Sequence, residues 1–154
     1  ARPSKEGVAW QKLLIEHGAD LNAEDRQHRP PLARAVRNGA SRDLIELLLA
    51  KGAKPNLGEP ALLKAAERGD LETADLLINA GANVGAGDGY FRKTPLMAAA
   101  EKGHVDLVRL LLERGASTDD LDIGGRSAAD YARMGLGPHR YLSSEEYGPG
   151  QLAG

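Results

Sequence analysis

The 154-residue chain carries 20 Lys and Arg against 22 Asp and Glu, a formal charge of −2. A chain so balanced has no global field to steer it to DNA, RNA or an acidic membrane. It has no cysteine, which excludes disulfides and thiolate metal sites and fits a reducing, cytoplasmic setting.

Ala1 to Lys5 is polar and expected to fray. The first predicted helix runs from Glu6 to His17, with Val8, Trp10, Leu13, Leu14 and Ile15 apolar and Trp10 read as a core residue. A loop from Asp20 to Arg29 has Asp25-Arg26-Gln27-His28 at its tip. Pro30-Pro31-Leu32-Ala33-Arg34-Ala35 opens the next helix without a capping hydroxyl. The helix predicted from Asp43 to Lys51 follows, with one residue inserted near Ala40-Ser41-Arg42. The loop Lys54 to Glu59 is short, so its tip is stunted. Pro60 to Ala66 opens a helix, and Leu71, Ala74, Leu76, Leu77 and Ile78 carry the one after it. Gly87 to Lys93 forms a longer loop tip and holds the single phenylalanine, Phe91, away from any core face.

The stretch from Thr94 to Ala116 reads as two short helices and a tight turn. Thr94 is an N-cap and Pro95 suits the first helical position. Leu96, Ala99 and Ala100 share a face. Gly103 ends the helix at a position favouring left-handed backbone. Val105, Leu107, Val108, Leu110, Leu111 and Leu112 make the second helix, closed by Gly115. An acidic loop leads to a helix over Ser127 to Arg133, and Gly135-Leu136-Gly137-Pro138 is expected to forbid a further one. Residues from His139 form a tail, in which Tyr141, Leu142 and Tyr147 are candidates to cover the last open face. No apolar run approaches the ~20 residues that span a bilayer.

The phrases Leu-Leu-Ile-Glu-His-Gly-Ala, Leu-Leu-Leu-Ala-Lys-Gly-Ala, Leu-Leu-Ile-Asn-Ala-Gly-Ala and Leu-Leu-Leu-Glu-Arg-Gly-Ala end on Ala19, Ala53, Ala82 and Ala116. They recur about every 32 residues, close to a ~33-residue period. On these phrases, with Thr94-Pro95-Leu96, the chain resembles the ankyrin-repeat family from Glu6 to about Gly135. The resemblance implies an all-α solenoid of stacked helix-turn-helix repeats with β-hairpin fingers. Domain 1–137 would hold a partial repeat at about 6–20, three full repeats at about 21–117 and a degenerate repeat at about 118–137. Residues 138–154 would be a capping or disordered tail. The partial repeat lacks a first helix, and excision from a longer stack is the favoured reading.

Nothing points to catalysis, a cofactor or a metal. His17, His28, His104 and His139 have no metal-ligand spacing. Asp119, Asp120 and Asp122 lack the twelve-residue loop of Ca²⁺ sites, and Gly85 to Gly89 is not followed by Lys and Ser/Thr at phosphate-loop spacing. The resemblance implies a structural hydrogen bond for His104, and His28 stands where the family often has glycine.

The resemblance also implies binding by finger tips and exposed first-helix positions. Those map to Arg26, Gln27, Arg29, Arg34, Arg37, Asn38, Lys64, Arg68, Asp88, Tyr90, Phe91, Lys93, Glu101, Lys102 and Arg126. From Arg26 to Arg42 there are five arginines and no acid. The expected function is a non-catalytic, monomeric protein–protein interaction scaffold. Its partner would offer an acidic patch and an apolar pocket for Tyr90 or Phe91, the other ring packing under its hairpin. No DNA or membrane partner is expected. The alternatives are a nucleotide- or oligonucleotide-binding module, or an inhibitory subunit covering an enzyme's active site.

Overall fold

A computed structural model describes residues 5–141, with side chains from 11 to 135. Among the described residues eight helices follow in order: α1 Lys5–Glu16, α2 Pro31–Arg37, α3 Arg42–Ala50, α4 Ala61–Arg68, α5 Leu71–Asn79, α6 Pro95–Lys102, α7 Val105–Glu113 and α8 Ala128–Tyr141. The readings of Ala1 to Ser4, Trp10, Tyr141, Leu142 and Tyr147 fall outside the described residues or side chains.

Each helix pair is closed by local chemistry. The Thr94 hydroxyl accepts from the Met97 N–H at 3.3 Å, and Met97 Sδ accepts the Thr94 N–H at 3.4 Å. Ser41 caps α3 and Asp70 caps α5 in the same way. Pro30 and Pro60 leave α2 and α4 without a side-chain cap, as their missing hydroxyls predict. Gly69 and Gly103 end α4 and α6 in the left-handed region, at φ 70° and 73°. Ser127 and Asp130 cap α8 reciprocally: Asp130 accepts from the Ser127 N–H at 2.9 Å, and Ser127 Oγ accepts from the Asp130 N–H at 3.3 Å.

The pairs stack in one direction. First helices pack in the row α2, α4, α6, α8, and second helices in the row α1, α3, α5, α7. Contacts run between neighbours along the stack, which is the geometry of a solenoid. The core fills the space between rows with Leu32, Ile45, Leu62, Leu77, Leu107 and Leu111, and with Ala33, Ala65 and Ala98 where backbones approach. Burying each large side chain stabilises the stack by about 1.5–3 kcal/mol. On its outer side α2 has no first helix beside it among the described residues; a groove of about 530 Å³ lies there, bordered by Leu14, Leu21, Ala35 and Leu44.

Two expectations are corrected by this fold. The helix expected over Ser127 to Arg133 does not end before Gly135-Leu136-Gly137-Pro138: α8 continues through that run to Tyr141, past the tail boundary expected at 137. Glycine weakens a helix without forbidding it, and packing decides. Here Gly135 lies against α6, where a Cβ would collide with the Glu101 carbonyl oxygen. The residue type read as a breaker is a contact residue. The fingers also lack strands among the described residues. Two backbone bonds close each of three necks, Asp25 N–H to Arg29 O with His28 N–H to Asp25 O, Asp88 N–H to Lys93 O with Arg92 N–H to Asp88 O, and Asp122 N–H to Arg126 O with Gly125 N–H to Asp122 O, at 3.0–3.2 Å. That makes tight turns, too short for a ladder.

Candidate functional site

Three of the four inter-repeat turns are built on an aspartate. In the first, Asp25 Oδ1 accepts from the N–H groups of Gln27 and Arg29, and Oδ2 accepts from Arg29 Nε. In the last, Asp122 repeats the pattern with Gly124 and Arg126, and also accepts from the Tyr131 hydroxyl at 2.6 Å. In the third, Asp88 Oδ1 accepts the Phe91 N–H at 2.5 Å. An Asx turn of this kind satisfies backbone donors that have no ladder to join.

Two titrating groups are displaced by the last turn. The Tyr131 hydroxyl and the Arg126 N–H hold the Asp122 carboxyl at about 2. Burial, then the bond to Asp122, pushes the Tyr131 phenol up to about 12. Arg126 and Lys93 lie over the Tyr131 ring at 5.1 and 4.9 Å, a cation–π arrangement.

The third and fourth tips form an apolar ridge. Tyr90 and Phe91 are 73% and 53% exposed, and their rings meet edge to face with centroids 4.7 Å apart. The Phe91 carbonyl accepts the Ile123 N–H at 2.8 Å, which sets Ile123, 60% exposed, beside them. Neither ring packs under the hairpin, contrary to expectation. The turn is too tight to shelter one, so the rings cover each other.

The charged residues redistribute. Arg26, Gln27, Arg34, Asn38 and Lys102 are exposed. Arg29 pairs with Asp25 at 3.0 Å, and Arg42 with Glu46 at 2.7 Å. Glu59, from the stunted turn, sits between Arg37 at 3.6 Å and Lys64 at 3.2 Å; Lys64 also reaches Glu67 at 3.2 Å. Burial works against the Lys64 ammonium, but Glu67 and Glu59 outweigh it and raise its pKa. Arg68 donates to the Arg37 carbonyl at the end of α2, so it caps a neighbouring helix. Lys93 turns inward to Glu101, and Arg126 to Asp122. The run of five arginines is therefore not a basic patch, because three of them meet acids that lie outside the run.

His104 departs from its expected role. Its side chain makes no cap hydrogen bond; the ring lies over Gly69, where a Cβ would come within 2.5 Å of Cε1. His28 is left-handed, at φ 57°, as its glycine-like place suggests. Arg92 lies in the third tip beside the aromatic pair but was not among the expected binding residues. It too is left-handed, at φ 59°, and its place two residues before an N-cap residue, like that of Gly58 and Gly125, was the available signal.

Among the described residues no group of three His, Asp or Glu is placed to hold a metal ion, and no helix is long and apolar enough to cross a membrane. Residues 62–136 match a family model for ankyrin repeats. Cyclin-dependent kinase 4 inhibitor B of Rattus norvegicus is 41% identical over 90 residues, covering 55% of this chain and 68% of that protein. The B-cell lymphoma 3 protein homolog of Mus musculus is 40% identical over 90 residues, 55% of this chain but 20% of its own. Cyclin-dependent kinase inhibitor 2A of Homo sapiens is 37% identical over 86 residues, covering 53% of this chain and 54% of that protein. The chain thus spans a fifth of the mouse relative and about two-thirds of the rat one. Helix pairs stacked in one direction and joined by tight turns, three of them closed by an aspartate, define a repeat-built helical solenoid. The chain belongs to the ankyrin-repeat family.

Proposed function

We propose that this stack binds a partner protein through its third and fourth finger tips and the adjoining first-helix face, without catalysing a reaction. The exposed pair Tyr90 and Phe91, continued by Ile123, carries this reading. Aromatic side chains left in water at a protruding tip are costly alone and favourable when a partner desolvates them. Arg26, Arg34, Lys102 and Arg92 have no ion partner among the described residues, so the partner surface around the apolar socket is acidic. Arg29, Arg37, Lys64, Lys93 and Arg126 act mainly by holding the fingers and first helices in place. Relatives named as kinase inhibitors support a regulatory role, in which a monomeric stack in the cytoplasm covers part of an enzyme.

The test compares wild type with the double substitution Tyr90→Ala, Phe91→Ala. A partner is captured from cell extract, identified by mass spectrometry, purified and titrated against both. Affinity falls at least ~10-fold, about 1.4 kcal/mol, while the melting temperature is unchanged. Equal affinity for both proteins contradicts the reading.

A further inference from the structure

Four turns precede the first helices, and each places one residue in the left-handed region two positions before the N-cap residue of the following helix. These are His28 at φ 57°, Gly58 at 62°, Arg92 at 59° and Gly125 at 76°. Glycine takes this conformation freely, whereas an L side chain brings its Cβ against the carbonyl. The two glycines are there for different reasons. At Gly58 a Cβ would collide with the His28 carbonyl oxygen, so packing demands glycine. At Gly125 a Cβ would meet nothing within 4 Å, so the backbone angle alone accounts for it. His28 and Arg92 keep their side chains against that preference, and histidine is enriched at such angles while arginine is not.

Little inside the protein offsets the strain. His28 Nδ1 lies 3.2 Å from Glu24, but the His28 side chain is 86% exposed and such a contact is weak. The Arg92 side chain is exposed and has no hydrogen-bond or ion-pair partner among the described residues. Its neighbour Lys93 is turned inward to Glu101. Arg92 is therefore the cation that the third finger presents outward, next to the Tyr90 and Phe91 rings. Strain that the fold does not need marks a functional position.

We propose that Arg92, with His28 two fingers away, contacts carboxylates on the partner protein, and that both side chains are kept at strained positions for binding. The inference rests on the finger-tip reading above and names the partner's chemistry: an apolar socket for the aromatic pair, with a carboxylate on its rim. The guanidinium is a planar fork that takes such a carboxylate through two parallel bonds.

Glycine substitution separates strain from binding. Arg92→Gly and His28→Gly each raise the melting temperature by about 2–4 °C, since left-handed backbone is relieved. Arg92→Gly weakens binding to the purified captured partner at least ~10-fold, and His28→Gly about 3-fold. Arg92→Ala keeps the strain, so it loses the affinity without the gain in melting temperature. Glycine variants that are no more stable overturn the strain argument. Glycine variants that are more stable and bind as wild type overturn the inference and leave the aromatic reading standing. If wild type captures nothing, or Tyr90→Ala, Phe91→Ala binds equally, the finger-tip reading fails and takes this inference with it.

Discussion

The Tyr131 phenol, in α8, donates a 2.6 Å hydrogen bond to Asp122 Oδ2, at the base of the last finger. Both residues are buried, and the carboxylate also accepts from the Gly124 and Arg126 N–H groups and from Arg126 Nε. One side chain thus ties a finger to the helix it leads into. Tyr131→Phe removes the strongest donor and lowers stability at pH 7 by about 1.5–3 kcal/mol, read from the urea midpoint.

The same pair sets a pH dependence. Asp122 sits at about 2 in the fold against an ordinary 3.8, so its contribution is complete above about 3.8 and is lost as pH falls towards 2. Tyr131 sits at about 12 against 10, so its contribution is complete below about 10 and is lost as pH rises through 12. Urea midpoints of wild type fall on both limbs. Asp122→Asn flattens the acid limb, and an acid limb unchanged in that variant contradicts the assignment.

Gly135 offers a test by sign. Alanine in place of glycine inside a helix ordinarily stabilises by about 1 kcal/mol. Here the new Cβ would collide with the Glu101 carbonyl oxygen, so the helices must part. Gly135→Ala destabilises by about 1–3 kcal/mol. A rise in melting temperature would show that α8 does not pack on α6 through this residue.

Arg68 stood among the expected partner contacts, yet its guanidinium donates to the Arg37 carbonyl in the preceding repeat. Arg68→Ala lowers stability by about 0.5–1.5 kcal/mol. Thermal unfolding of the variant checks this; no change would return Arg68 to a free surface role.

The repeats, caps and stops are local chemistry, and the sequence showed them plainly. Thr94, Pro95 and Gly103 do at the ends of α6 what their side chains predict. The buried leucines and alanines fall where the helical spacing puts them. What stayed hidden depends on how one repeat is set against the next. Glu59 reaches Arg37 and Lys64 only after two first helices are stacked. Gly135 reads as a breaker until α6 lies beneath it, and the His104 ring lies over Gly69 and makes no cap hydrogen bond. Tyr90 and Phe91 were legible as exposed candidates, but their packing on each other follows from a turn geometry no residue count encodes.

Hydrogen exchange of the protein alone and with its captured partner tests the central claim most directly. Amides from residues 88–93 and 122–126 gain protection on binding, while those of α3, α5 and α7 on the opposite row exchange as before. Protection confined to α3, α5 and α7, with the finger tips unchanged, contradicts the account.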